Sequence, residues 1–260
     1  MSVQKEGSMQ YEELLALAQS RRTVRAIKPD PIPDETLARL LEIARWAPTG
    51  FNMQPAELLV VKDAELRLQI KKLVDDWVDC DFFALEATRE EWQGPAWTAA
   101  THGRPECPLA AVYILILGDT RRRAGLPMNA RHDRLKGDSI FDCSLANVFM
   151  YLWLGAQSLG LAAQPVSSVK SAKVQGLVKH LLNLPEFITL YEMLAVGYTA
   201  MPSGPSAKLM RHLEDMVHYD RARDDEFATD DELKKQIRKL RAGNVARHKE
   251  AGASHEGPGV

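Results

Sequence analysis

The sequence predicts an α+β or α/β domain in which one sheet lies between helical layers. Two observations carry that expectation: β-rich apolar runs are few, and long segments of helical periodicity separate them. In chain order, Tyr11–Ser20 reads as an amphipathic helix. Asp34–Trp46 reads as a second, announced by Pro33, carrying Leu37, Leu40, Leu41 and Ala44 at helical spacing and ended by Pro48. Leu58–Val61 and Ala110–Leu117 read as buried strands, with a helix over Ala64–Val78 between them and a third strand over Ile188–Val196. Ser144–Ala163 is mostly apolar and about long enough to cross a bilayer. Asn147, Gln157 and Ser158 interrupt it and Gly155 and Gly160 weaken it, so a helix buried on nearly all sides is expected, at a domain centre or an oligomer interface.

The stretch from Asp76 to Pro108 is irregular and aromatic, holding Trp77, Phe82, Phe83, Trp92 and Trp97, and reads as a mobile cover. After Gly197 the character changes. Pro202, Gly204 and Pro205 form a loop, and Asp224–Lys249 is strongly charged, with Leu233, Ile237 and Leu240 as a thin apolar stripe suited to a peripheral helix. Gly252 to Val260 is small and polar, the composition of a disordered end. The expected organisation is one domain over 1–220 with 76–108 inserted as a variable aromatic lid, then a charged helix and tail over 221–260.

The 260 residues, 45% of them hydrophobic, suffice for a substantial core. A net charge of −2 points to neither nucleic acid nor a membrane surface, so any anion site must be local. Cys80, Cys107 and Cys143 are odd in number and free of CxxC spacing, which argues for reduced thiols rather than a disulfide framework. The N-terminus offers Lys5 and Glu6 and no early apolar run, so a cytoplasmic location is expected.

Several chemistries fail on their residues. Gly155 and Gly160 have phosphate-loop spacing, but Leu161 and Ala162 stand where Lys and Ser or Thr are needed. No GxGxxG follows a strand, no GxSxG elbow is present, and the seven histidines lack HExxH, so no metal is expected. His218 before Asp220 reads as a surface pair.

What remains is a basic cluster, Arg21-Arg22-Thr23-Val24-Arg25, and a loop, Ala47-Pro48-Thr49-Gly50-Phe51-Asn52-Met53-Gln54-Pro55. Guanidinium groups suit phosphate because the planar fork donates two parallel hydrogen bonds and stays charged. The plain alternative is a solvated helix end, where positive charge complements the macrodipole. The loop's amides can both give and receive hydrogen bonds, as a heterocycle with mixed donors and acceptors requires. Its plain alternative is a turn between elements.

Taken together, in this order and about 25 residues apart, the two segments resemble the nitroreductase family, which includes relatives that dehalogenate halogenated tyrosines. Further matching pieces are Leu159-Gly160-Leu161-Ala162-Ala163-Gln164-Pro165, then Ala195-Val196-Gly197-Tyr198, then Lys208 and Arg211 ahead of Leu213-Glu214. The resemblance implies a three-layer α/β/α fold with a mixed, mainly antiparallel sheet. It also implies FMN as cofactor, NADPH or NADH as electron donor with ping-pong kinetics, and a homodimer whose central helices pack together. By that resemblance Arg21, Arg22, Thr23, Val24 and Arg25 surround the FMN phosphate and ribityl chain. Thr49 and Asn52 lie near the ring or chain and Gln54 supports the loop. Ala163, Gln164, Pro165 and Val166 lie beside the reactive ring edge, and Lys208 or Arg211 completes the phosphate site.

Candidate substrate contacts are Phe51, Trp77, Phe82, Phe83, Trp92 and Trp97, although aromatic side chains more often fill cores. The acceptor implied is a nitroaromatic, a quinone or a related conjugated molecule, and no acid–base residue is strictly required. The alternatives are reductive dehalogenation, oxidation of a small aromatic by oxygen, or flavin binding without turnover. Where the dehalogenating relatives carry a hydroxyl residue, Ala162, Ala163 and Gln164 stand here and only Ser167 and Ser168 follow. Ala56 follows Gln54-Pro55 where the family often has a large aromatic, which widens the pocket.

Overall fold

Val112–Asp119 is apolar until its last residue and buried along its whole length, the pattern of a strand covered by helices on both faces. The computed structural model shows that arrangement. It describes the backbone of residues 2–93, 96, 106–200 and 210–253, and the side chains of 10–93, 96, 106–200 and 210–242. The chain divides into two units, Met1–Asp75 with Cys107–Ser203, and Asp76–Glu106 with Gly204–Val260.

In chain order the elements are α1 (Ser2–Ser20), β1 (Ile27–Lys28), α2 (Asp34–Arg45), β2 (Ala56–Val61), α3 (Ala64–Trp77) and α4 (Phe83–Glu86). They continue as β3 (Val112–Asp119), α5 (Met128–His132), α6 (Arg134–Ser158), β4 (Ala162–Pro165), α7 (Ala172–Leu181), β5 (Ile188–Thr199) and α8 (Asp230–Ala253). The sheet of the first unit runs β1-β5-β3-β2, with β4 also paired to β5. Every described pairing is antiparallel.

Alternation along β3 builds the layers. Val112, Ile114 and Ile116 enter one cluster with Leu37 and Leu40 of α2 and Phe141, Leu145 and Leu152 of α6. Tyr113, Leu115 and Leu117 take the opposite face, where the Tyr113 hydroxyl lies 3.7 Å from the Cys107 sulfur. There α7 joins the sheet, its Gln175 side chain accepting from the Leu190 N–H at 3.0 Å. Gly118 sits where β3 meets α6: a Cβ there would lie 2.7 Å from Phe141 Cζ and 2.8 Å from Leu145 Cδ1. Both neighbours are buried. Gly118→Ala is therefore expected to cost about 1–3 kcal/mol by overpacking, read as a lower midpoint in chemical denaturation at unchanged m.

The ends of the inserted segment are clasped at α3. Asp75 pairs with Lys71 at 2.7 Å and accepts the Cys107 N–H at 2.9 Å, while Tyr113 donates its hydroxyl to the Pro108 carbonyl at 2.8 Å. Burial pushes the Cys107 thiol up to about 12, so no thiolate forms at ordinary pH. Cys107 is expected to stay unmodified by a disulfide-exchange reagent in the folded protein and to react fully in denaturant.

In the second unit, Glu86 pairs with Arg89 at 2.7 Å and with Arg241 of α8 at 2.9 Å. Trp77 and Phe82 approach to 6.1 Å between ring centroids, and Phe82 and Phe83 to 5.6 Å. Lys234 of α8 lies over the Trp92 ring.

Several elements differ from the sequence expectation. The central helix begins at Arg134, not Ser144, because Asp133 caps it by accepting the Lys136 N–H at 3.1 Å. It ends at Ser158, where Gly160 takes φ +71°, and Ala162–Pro165 forms β4 instead of continuing it. By length and composition it could cross a membrane, yet Phe141, Leu145 and Leu152 are fully buried. Nor is α6 buried on nearly all sides. Cys143 and Met150 are exposed and Phe149, Tyr151, Trp153 and Leu154 half-buried, because the sheet and α2 cover only part of its circumference. Within the second unit, Glu86 of the inserted segment and Arg241 of the charged C-terminal helix form a half-buried ion pair.

Candidate functional site

The basic cluster leaves the end of α1 and reaches β4. Its anchor is a backbone hydrogen bond from the Val24 N–H to the Ala163 carbonyl at 3.1 Å. Two segments far apart in sequence, Arg21–Arg25 and Ala163–Val166, thus become neighbours. The Ala26 carbonyl accepts the Ala200 N–H at 2.8 Å, fixing the far end of the cluster to β5.

The arginines have different duties. Arg22 turns back to donate to the Gln19 carbonyl at 2.5 Å and the Arg21 carbonyl at 3.0 Å, securing the last turn of α1. Arg21 stacks on Trp153 of α6, its guanidinium carbon 3.8 Å from the ring centroid. Its Nη1 is buried and has no hydrogen-bond partner among the described residues, and neither has the Trp153 Nε1. Burial first, and Arg22 second, lower the Arg21 pKa. Burial lowers Arg25 as well, although Arg25 remains exposed by area. An anion at these arginines satisfies the orphaned N–H and offsets both penalties, so the donor set fits a phosphate.

The amide loop is strained and firmly held. Phe51, Asn52 and Gln54 have φ of +52°, +51° and +45°, a region that costs non-glycine residues roughly 1–2 kcal/mol each and clusters at functional sites. The Gln54 N–H donates to Thr49 Oγ1 at 3.1 Å and its side-chain amide to Asn52 Oδ1 at 2.9 Å. Below the loop, Ser144 of α6 accepts the Gly50 N–H at 3.0 Å, and Asn147 donates to the Pro48 carbonyl at 2.8 Å. Of the polar residues that interrupt the apolar helix, Asn147 pins the loop. Phe51 is exposed at its tip. Beside it lies a cavity of about 300 Å³ lined by Leu41, Ala44, Arg45, Thr49, Gln54 and Ala56, among others.

Within one chain the loop and the arginines are not one pocket. The loop docks on α6 at Ser144 and Asn147 and the arginines at Trp153, which places them about 9–14 Å apart along the helix at 1.5 Å per residue. Trp77, Phe82, Phe83 and Trp92 belong to the second unit. So does Arg211, whose guanidinium donates to the Asp215 carbonyl. Trp97 and Lys208 lie outside the described residues. Trp153, Ser144 and Asn147 carry the site's architecture but had no motif to announce them. Asn147 stood out only as an interruption of an apolar run.

The nitroreductase family model matches residues 18–198. The chain belongs to the nitroreductase family. By class it is an FMN-dependent NAD(P)H oxidoreductase. Among curated proteins it is 29% identical to an iodotyrosine deiodinase of Thermotoga neapolitana over 79% of this chain and 97% of that one. It is 33% identical to a 5,6-dimethylbenzimidazole synthase of Rhodospirillum rubrum over 70% of this chain and 80% of that one. Among solved structures, nitroreductase A of Vibrio parahaemolyticus has the same fold, with a TM-score of 0.63 at 16% identity over 94% of this chain and 91% of that one.

Proposed function

We propose that this oxidoreductase passes electrons from NADPH or NADH to a small conjugated acceptor such as a nitroaromatic or a quinone, in two half-reactions at one site. The observation that supports this most is the orphaned, desolvated N–H of Arg21 beside the Val24–Ala163 hydrogen bond. Bound FMN supplies the chemistry, taking hydride from the nicotinamide and giving it up to the acceptor. Arg21 and Arg25 hold the phosphate, and Arg22 supports them by fixing the end of α1. Thr23 and Val24 flank the ribityl chain. Ala163 to Val166 lie beside the reactive ring edge. Thr49 and Asn52 meet the ring or chain, and Gln54 fixes Asn52. Phe51, exposed at the tip of the loop, contacts the acceptor.

The site is completed in a cytoplasmic homodimer. The exposed and half-buried apolar residues of α6 support this, as does the distance along α6 between arginines and loop. A second copy gives two identical sites.

A second reading, reductive removal of halogen from a small aromatic, is favoured by the similarity to the Thermotoga deiodinase. The two are separated by anaerobic stopped-flow absorbance of FMN-loaded protein. A nicotinamide is mixed in first, then nitroaromatics, quinones and halogenated phenols. Rapid return of the flavin band with nitroaromatics or quinones supports the first reading. Return only with halogenated phenols supports the second, and no bleaching by either nicotinamide rules out both.

A further inference from the structure

Glu192 is a buried carboxylate, with a side chain only 5% exposed, in a strand of apolar neighbours. A β-bulge places it: Ile116 and Leu117 of β3 pair with Glu192 and Leu190, leaving Tyr191 as the extra residue. Its partners come from the short turn Ser167–Lys170 that follows β4 directly. Ser167 donates its hydroxyl to Glu192 Oε2 at 3.1 Å. Lys170 Nζ lies 3.3 Å from the same oxygen and is 43% exposed. The Met193 N–H donates to the other oxygen at 3.3 Å. Ser167 itself is exposed and next to Val166, whose N–H binds the Met193 carbonyl at 2.8 Å. Ser167 and Lys170 meet at the same oxygen, so the buried acid joins the exposed Ser167, next to Val166, to the partly exposed Lys170.

We propose that Glu192 is a positioning residue whose protonation state sets the direction of the Ser167 hydroxyl and so delivers a proton to the acceptor. This rests on the reading that the acceptor is reduced beside Ala163–Val166. With Glu192 ionised, Ser167 donates inward and only its lone pairs face the site. With Glu192 protonated, the acid donates to Ser167 Oγ and the hydroxyl donates outward. Reduction of a quinone needs one hydride, from the nicotinamide by way of the cofactor, and one proton. As the quinone oxygen takes the Ser167 proton, Ser167 Oγ takes the Glu192 proton, and the carboxylate left behind is paired with the Lys170 ammonium until solvent restores its proton. Burial raises the Glu192 pKa, against the opposing pull of Lys170 and Ser167. The other groups near are Tyr191, in whose surroundings Lys170, Asp142 and Cys143 also lie. The facing residues of β3 are apolar and α7 offers the neutral Gln175.

Two measurements test this. Infrared difference spectra of the FMN-free protein, titrated with acid, are expected to show a carboxylic-acid band above the ordinary Glu range that is missing in Glu192→Gln. In FMN-loaded protein, reoxidation by a quinone is expected to fall with rising pH through that same ionisation. Glu192→Gln and the surface variant Ser167→Ala should both lose this pH dependence and slow reoxidation by about 10²-fold. Absence of the band, or a pH profile that Ser167→Ala leaves unchanged, overturns the relay alone. A wild-type protein that takes up no FMN overturns the oxidoreductase reading and the relay with it, while the infrared band still reports on Glu192.

Discussion

Replacing Arg21 with Ala is expected to weaken FMN binding by about 10- to 150-fold, the loss of one charge-assisted hydrogen bond worth about 1.5–3 kcal/mol. Titration of FMN-free protein with FMN, followed by quenching of flavin fluorescence, measures it directly. Arg21 is the sharpest probe of the phosphate site because its guanidinium is stacked on Trp153 and its buried Nη1 has no hydrogen-bond partner among the described residues. A group kept charged at that expense implies an anion that is present when the protein works. Arg22→Ala should act more weakly on FMN, since Arg22 donates to the Gln19 and Arg21 carbonyls. The FMN-free fold should barely notice Arg21→Ala, because the stacking it loses is worth about 0.5–2 kcal/mol and a desolvated charge is released. Unchanged FMN affinity in Arg21→Ala would remove the phosphate from this end of α6.

How much of this was legible in the sequence depends on the range of the interaction. The helix Asp34–Arg45 and the strands Val112–Asp119 and Ile188–Thr199 follow from local periodicity, and the structure places them within a few residues of where that periodicity does. β1 has two residues and β4 four, too short for any period to show. The charged first turn of α6 hid its start, since the apolar run that marks the helix begins later than its Asp133 cap. Of the site, the residue types were readable as a cluster of arginines and a loop of amides. Their division of labour was not. Arg22 turns back onto the Gln19 carbonyl and Arg21 stacks on Trp153, contacts that only folding makes. The left-handed backbone at Phe51 defies local preference, and the ties from Ser144 and Asn147 show what holds it. Glu192 with Lys170, and Glu86 with Arg241, carry no sequence signal because each pair joins separate elements.

If the chain forms the proposed homodimer through α6, Met150→Asp is expected to convert it to monomers at micromolar concentration, read by light scattering, with little change in the stability of the single chain. Met150 is exposed on α6, so an aspartate there stays hydrated in the monomer. In a packed apolar interface the same carboxylate would have to be buried without a partner, at a cost of several kcal/mol per copy. In the proposed two-fold dimer the substitution enters the one interface from both copies, so the penalty is counted twice. Leu152, two residues on, is fully buried. Leu152→Ala should show the opposite pattern, losing about 2–5 kcal/mol of folding stability while the surviving folded protein stays dimeric. If the arginines of one copy and the Thr49–Gln54 loop of the other hold the same FMN, Met150→Asp should also release the flavin, and raising the protein concentration should restore both dimer and bound FMN together. Flavin retained by a Met150→Asp monomer would mean that the loop and the arginines serve different ligands, and that the distance along α6 between them is a true separation of sites.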